Sequence, residues 1–160
     1  VVDLETGVVG QGTAPELRTQ ALFRDRFVGV VRMGHTLCEG EMSALRYTEG
    51  VHVSVSRQSP GRGPMEEEGP IDYALKELGL ERQVVTIVGG FSMALALVRA
   101  TDLIASVPER HTGNLRAGLW SFALPVATPE FTVSMLWDPR MDADGAHKWL
   151  RGCVLEACAG

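Results

Sequence analysis

The chain predicts an α/β fold, and three observations carry that reading. Short apolar or alternating runs that suit strands recur along it, separated by segments of helical period or by glycine and proline. Near its end, Phe131-Thr-Val-Ser-Met-Leu-Trp137 alternates, with Phe131, Val133, Met135 and Trp137 on one strongly apolar face. That run passes Pro139 into a terminal amphipathic segment, so a strand and a helix close the chain. A strand and helix placed last imply a sheet revisited after an excursion through another.

The elements follow in order. Val2-Asp3-Leu4 reads as a strand that starts at the first residue, as expected of a fragment with an element missing upstream. Phe27-Val-Gly-Val-Val31 is a buried strand ending at Gly34. Val51-His-Val-Ser-Val55 alternates and ends at Ser56, ahead of the breaker cluster Ser59-Pro-Gly-Arg-Gly-Pro64. A helix then carries Ile71, Ala74, Leu75 and Leu78 on one face, with Asp72 and Lys76 four apart on its surface and Gly79-Leu80 as its stop. Val84-Val-Thr-Ile-Val88 is another buried strand, turned by Gly89-Gly90 into a helix over about Ser92–Arg99. Leu103-Ile-Ala-Ser-Val107 is a strand stopped by Pro108, and a looser stretch with Gly113, Asn114 and Gly118 leads to Trp120-Ser-Phe-Ala-Leu124. In the closing helix Asp142 or Asp144 is the N-cap, and Ala146, Trp149, Leu150, Cys153 and Ala157 form the apolar positions. Strands alternating with helices imply crossover connections and a mostly parallel sheet.

Composition bounds the function. At 160 residues the chain buries one good core, or two small ones sharing a hinge. With 45% hydrophobic and 22% charged residues it has the make-up of an ordinary globular protein. No apolar run reaches the ~18 residues of a membrane span, and Val1 opens without a basic, apolar leader, so a cytoplasmic protein is expected. A net charge of −5 argues against a nucleic-acid surface on this chain. Cys38, Cys153 and Cys158 are an odd count without metal spacing, read as reduced thiols. His35, His52, His111 and His147 have no two-ligand spacing, so no metal and no cofactor is expected. Gly10-Gln-Gly12 and Gly61-Arg-Gly63 are turns rather than phosphate loops, and Glu66-Glu67-Glu68 is a solvated first helical turn. No serine stands in a Gly-x-Ser-x-Gly elbow, and no nucleophile–base pair is visible, so no enzyme is expected.

Several stretches occur in a specific order: Asp3-Leu4-x-x-Gly7, Leu22-Phe23-x-Asp25-x-Phe27-Val28-x-Val30, Arg32-x-Gly34-His35-x-Leu37 and Val51–Val55. Phe91-x-x-Ala94-x-x-Leu97-Val98, Leu103-Ile-Ala105-x-Val107-Pro108 and Trp137-x-Pro139-Arg140, followed by Ala146-His-x-Trp149-Leu150, complete the set. In this order the chain, from about Val2 to Leu155, resembles the effector-binding domain of LysR-type transcriptional regulators. The resemblance implies two Rossmann-like subdomains of the periplasmic-binding-protein type joined by crossover strands. Residues 1–50 and 129–160 would form the remainder of an incomplete first subdomain with the hinge, and 51–128 the second. It further implies a small-molecule effector held between them, a homodimer or homotetramer, and DNA contact only through an N-terminal winged helix-turn-helix absent from this chain. Glu5-Thr6 departs from the apolar pair usual in the family before Gly7.

Ligands of α/β folds sit beyond the carboxyl ends of parallel strands, near helix N-termini. Two strand ends qualify: Ser56-Arg57, and Gly90-Phe91-Ser92-Met93. Free N–H groups at that helix start favour an anion such as a carboxylate, and Arg57 is suited to pair it bidentately. Ser92 reads equally well as an N-cap alone and as a cap that also lines a site; Arg57 reads more simply as a solvated loop residue. Phe131 and Val107-Pro108 match family positions near the cleft or hinge, and each is equally at home in a core. The alternative class is a solute-binding protein for transport, which predicts a secretory leader upstream of Val1 and oxidised or absent cysteines.

Overall fold

The computed structural model describes residues 3–10, 12–56 and 69–160. In chain order these form β1 (Leu4–Val8), β2 (Arg18–Asp25), β3 (Phe27–Arg32), α1 (Ala44–Glu49), β4 (Val51–Val55), α2 (Pro70–Glu77), β5 (Gln83–Val88), α3 (Phe91–Ala100), β6 (Ile104–Pro108), α4 (Glu109–Thr112), β7 (Leu119–Ala123), β8 (Phe131–Trp137) and α5 (Gly145–Cys158). They divide into two units, Val1–Asp25 with Glu130–Gly160, and Arg26–Pro129.

The first unit is an antiparallel sheet of order β1-β8-β2 with α5. β8 is its central strand, so Ser134, Met135 and Leu136 are buried in succession. The single apolar face expected of this strand is therefore corrected: successive side chains point to opposite faces, so three buried in a row show that both faces are covered at its middle. Asp144 caps α5, its carboxylate accepting from the His147 N–H at 2.8 Å. The expected apolar stripe is not the buried one, since Trp149 is 70% exposed and the helix buries His147 and Arg151. Those two are held by a polar network. His147 Nε2–H donates to the Asp3 carbonyl at 2.9 Å, and its Nδ1 accepts from Arg151. Arg151 also donates to the carbonyls of Met141 and Asp142 and lies 4.5 Å over the Trp137 ring, while Trp137 Nε1–H donates to Asp142 at 2.6 Å. Hydropathy periodicity cannot find such a face, because polar groups bury readily when each has a partner.

The second unit is a five-stranded mixed sheet of order β5-β4-β6-β3-β7. β4 runs parallel to β5 and β6, whereas β3 is antiparallel to β6 and β7. The expectation of a mostly parallel sheet fails here: only the strands linked through α2 and α3 acquire the crossovers that parallel pairing needs. β3, expected with the first subdomain, pairs from Phe27 opposite Pro108 to Val30 opposite Ala105, which places it and the Pro108 end of β6 in this sheet. Likewise β5 is an edge, not a buried strand; Val85 and Ile87 are 51% and 48% exposed.

Two apolar clusters cover the sheet. Val28, Val30, Val53 and Val107 pack with Leu95 and Val98 of α3; Val31, Ile104 and Phe122 pack with Tyr47 of α1 and Ile71 and Leu75 of α2. The second cluster comes so close to β3 that a Cβ on Gly29 would overlap the Phe122 ring. α2 ends at Gly79 (φ +72°), with Leu80 N–H donating to the Leu75 carbonyl and Gly79 N–H to that of Lys76, both at 2.9 Å. This left-handed glycine stop is the one the Gly79-Leu80 pair leads one to expect.

Candidate ligand-binding site

A cavity of about 190 Å³ opens in the second unit at the carboxyl ends of β4 and β5. Ser54, Val55 and Ser56 of the β4 end line it, together with Ile87, Phe91 and the start of α2 (Gly69 to Asp72). Phe27, Arg82 and Ser106 complete the lining. Two parallel strands deliver their ends here, and two helices begin here, which is where α/β folds hold ligands.

Polar groups of the wall are tied together beneath the cavity. Arg82 Nε and Nη2 donate to the two Asp72 carboxylate oxygens at 2.7 and 3.1 Å. The Tyr47 hydroxyl, near the Arg82 charge, lies 2.6 Å from Ser106 Oγ, and either oxygen can donate. Burial opposes ionisation of Asp72, yet the hydrogen bonds and charge of Arg82 outweigh it and hold the carboxyl below the usual range. Burial works equally against the Arg82 charge, and Asp72 and Tyr47 hold it above its ordinary value. Burial also pushes the Tyr47 phenol up.

Beside this network the fully buried His52 donates from Nε2 to the Tyr47 carbonyl at 2.7 Å. Its Nδ1 has no hydrogen-bond partner, and burial pulls the imidazole down to about 4, so it is neutral at ordinary pH. Ser56 Oγ is the other buried polar atom without a partner, among the described residues, and its residue faces the cavity.

The sequence-selected residues divide. Ser56 and Phe91 line the cavity, with Phe91 in edge contact with His111 at 5.9 Å between centroids. Arg57 lies outside the described residues, as do the breaker cluster and the Glu66–Glu68 run. Ser92 does not cap α3: Gly90 occupies that position without a side-chain bond, and Ser92 and Met93 are exposed on the first turn, outside the lining. Ser92, two positions later, is already helical, so its hydroxyl has lost the geometry that a cap requires. Phe131 belongs to the first unit, as the opening residue of β8 opposite Asp25.

Sequence reasoning missed Phe27, Asp72, Arg82 and Ser106. Asp72 was read as the partner of Lys76 on a helix surface; the structure gives its carboxylate to Arg82, beyond the glycine stop. The available signal was an acid in the first turn of a helix with an arginine just past its end, which periodicity does not weigh.

Comparison with known proteins agrees with this architecture. The family model described as "LysR substrate binding domain" matches residues 6–159. The HTH-type transcriptional activator NagR of Ralstonia sp is 30% identical over 162 residues, covering 96% of this chain and 52% of that protein. A crystal structure of a putative transcriptional regulator from Vibrio parahaemolyticus aligns with a TM-score of 0.77 at 27% identity, over 98% of this chain and 70% of that one. The regulatory domain of MexT, a transcriptional activator in Pseudomonas aeruginosa, shares the fold with a TM-score of 0.76 at 23% identity, over 97% of this chain and 74% of that one. The fold is thus the α/β, periplasmic-binding-protein-like one of regulator effector domains. The chain belongs to the LysR substrate-binding domain family. It spans about half the length of the curated relatives it matches. Among the described residues no helix is long and apolar enough to cross a membrane.

Proposed function

We propose that this chain is the ligand-sensing part of a cytoplasmic LysR-type transcription regulator, and that its effector is a small organic molecule seated in the cavity of the Arg26–Pro129 unit. The observation that carries the reading is the family match over residues 6–159. The cavity beyond β4 and β5 supports it by supplying a ring-sized space at the place where the fold class binds ligands. In this reading the chain performs no chemistry. Effector binding shifts the population of two arrangements of the domain, and the shift is passed to paired protomers whose DNA-binding segments lie outside this sequence.

A carboxylate on the effector is the version that the sequence leads one to expect. It would meet the uncapped N-terminus of α3 at Gly90 and Phe91, with Arg57 as its cation. Calorimetric titration of the chain against a broad panel of small aromatic and aliphatic molecules, carboxylic acids included, tests the sensory role. A saturable binder whose affinity drops in Ser56→Ala is the expected result. Complete silence across the panel, for a chain shown by circular dichroism to be folded, would remove the reading.

A further inference from the structure

We infer that the cavity receives an uncharged, hydrogen-bonding group about the size of one ring, and that it discriminates against a carboxylate. This rests on the sensory reading and replaces its carboxylate version. The cavity's one described cation is already satisfied: the Arg82 guanidinium forms a two-point bond to Asp72. Exposure of the pair is also lopsided, with 7% of the Arg82 side chain accessible against 27% of Asp72. An entering anion therefore meets the carboxylate side of a neutralised pair, and loses its hydration with no free cation among the described lining residues in return. An entering cation meets Asp72 but has Arg82 directly behind it. What remains unsatisfied is neutral. Ser56 Oγ is buried without a partner, and Ser106, whose hydroxyl pairs with that of Tyr47 at 2.6 Å, also lines the cavity.

A hydroxyl group suits this wall because it both donates and accepts. Size agrees: an apolar cavity of about 150 Å³ holds one benzene ring, and this one, walled by Phe27, Ile71, Ile87 and Phe91, measures about 190 Å³.

Three probes with the same ring separate the possibilities: phenol, benzoate and benzylammonium, titrated into the isotope-labelled chain while the amide resonances of Ser56 and Ser106 are followed. Phenol is expected to move those resonances with a dissociation constant at least roughly tenfold below that of either charged probe. Ser56→Ala should weaken phenol by about fivefold at unchanged melting temperature, and Asp72→Asn should raise benzoate affinity by freeing Arg82. Benzoate binding at the cavity as tightly as phenol overturns the inference and leaves the sensory reading standing with a carboxylate effector. Tightest binding by benzylammonium overturns it as well, with Asp72 acting as an open anion. If no probe moves the cavity resonances the inference fails, and a binder from the wider panel that moves other resonances preserves the sensory role.

Discussion

In the second unit α3 lays Leu95 and Val98 against valines of β3, β4 and β6, while in the first unit α5 lays His147 and Arg151 against Trp137 and the backbone of Asp3 and Met141. Among the described residues, Met135 and Leu136 are the buried apolar side chains of the first unit, and all the others belong to the second. Each material has its own consequence. Apolar burial contributes roughly 1.5–3 kcal/mol per large side chain and needs no exact direction. A buried hydrogen bond contributes roughly 1 kcal/mol and is lost when its geometry shifts. The second unit is therefore expected to be the stable one, able to hold a cavity open, and the first to open at lower free energy.

The change with the largest expected effect strikes the most buried ion pair among the described residues of the second unit. Asp72→Ala leaves the Arg82 guanidinium buried and unpaired, and urea denaturation should show a loss of about 3–5 kcal/mol. A loss below about 1 kcal/mol would mean that the pair is effectively solvated and that Arg82 is open to an anion in the cavity.

Acid should weaken the second unit next. The His52 imidazole is lowered to about 4 from an ordinary 6.5, so below 6.5 the unfolded chain takes a proton that the folded one refuses. Its stabilising preference for the neutral form is whole above 6.5 and is lost as pH falls through the folded value, by at most about 3 kcal/mol. Stability measured between pH 7 and 4 should decline in the natural chain and decline by less in His52→Gln; parallel curves would contradict the assignment.

Overpacking gives a smaller effect. Gly29→Ala drives a methyl group into Phe122, and the sheet must yield at a cost of about 2 kcal/mol in the same denaturation experiment. A neutral result would show that the ring moves freely, contrary to a tightly filled core.

The smallest change addresses the other unit. Asp144→Ala removes the cap of α5 at a cost of about 1 kcal/mol. Hydrogen exchange should then accelerate in α5 and β8 while β4 and β6 keep their protection. Equal acceleration in both units would show that they unfold as one and would end the distinction drawn between them.

Much of the second unit was legible in the residues. Val51–Val55 falls at its expected bounds, and the α3 helix and β6 lie within a residue or two of theirs. Alternation and helical period record local burial directly, and these elements are packed as their patterns suggest. The site was half legible. Ser56 and Phe91 follow from the rule that strand ends and helix starts carry ligands, which needs only the order of elements. Ser92 is not the cap because the cap position falls two residues earlier, at Gly90.

By itself the sequence determined the α/β class, the family and the strand end from which Ser56 faces the cavity, because these depend on local pattern and on the order of elements along the chain. Tertiary structure alone decided that β3 runs antiparallel inside the larger sheet, that β5 is its edge, that α5 buries charge and exposes Trp149, and that Arg82 crosses to Asp72. Each of those is a pairing between residues distant in sequence or across a turn. Hydropathy carries no record of a partner, and only the folded chain supplies one.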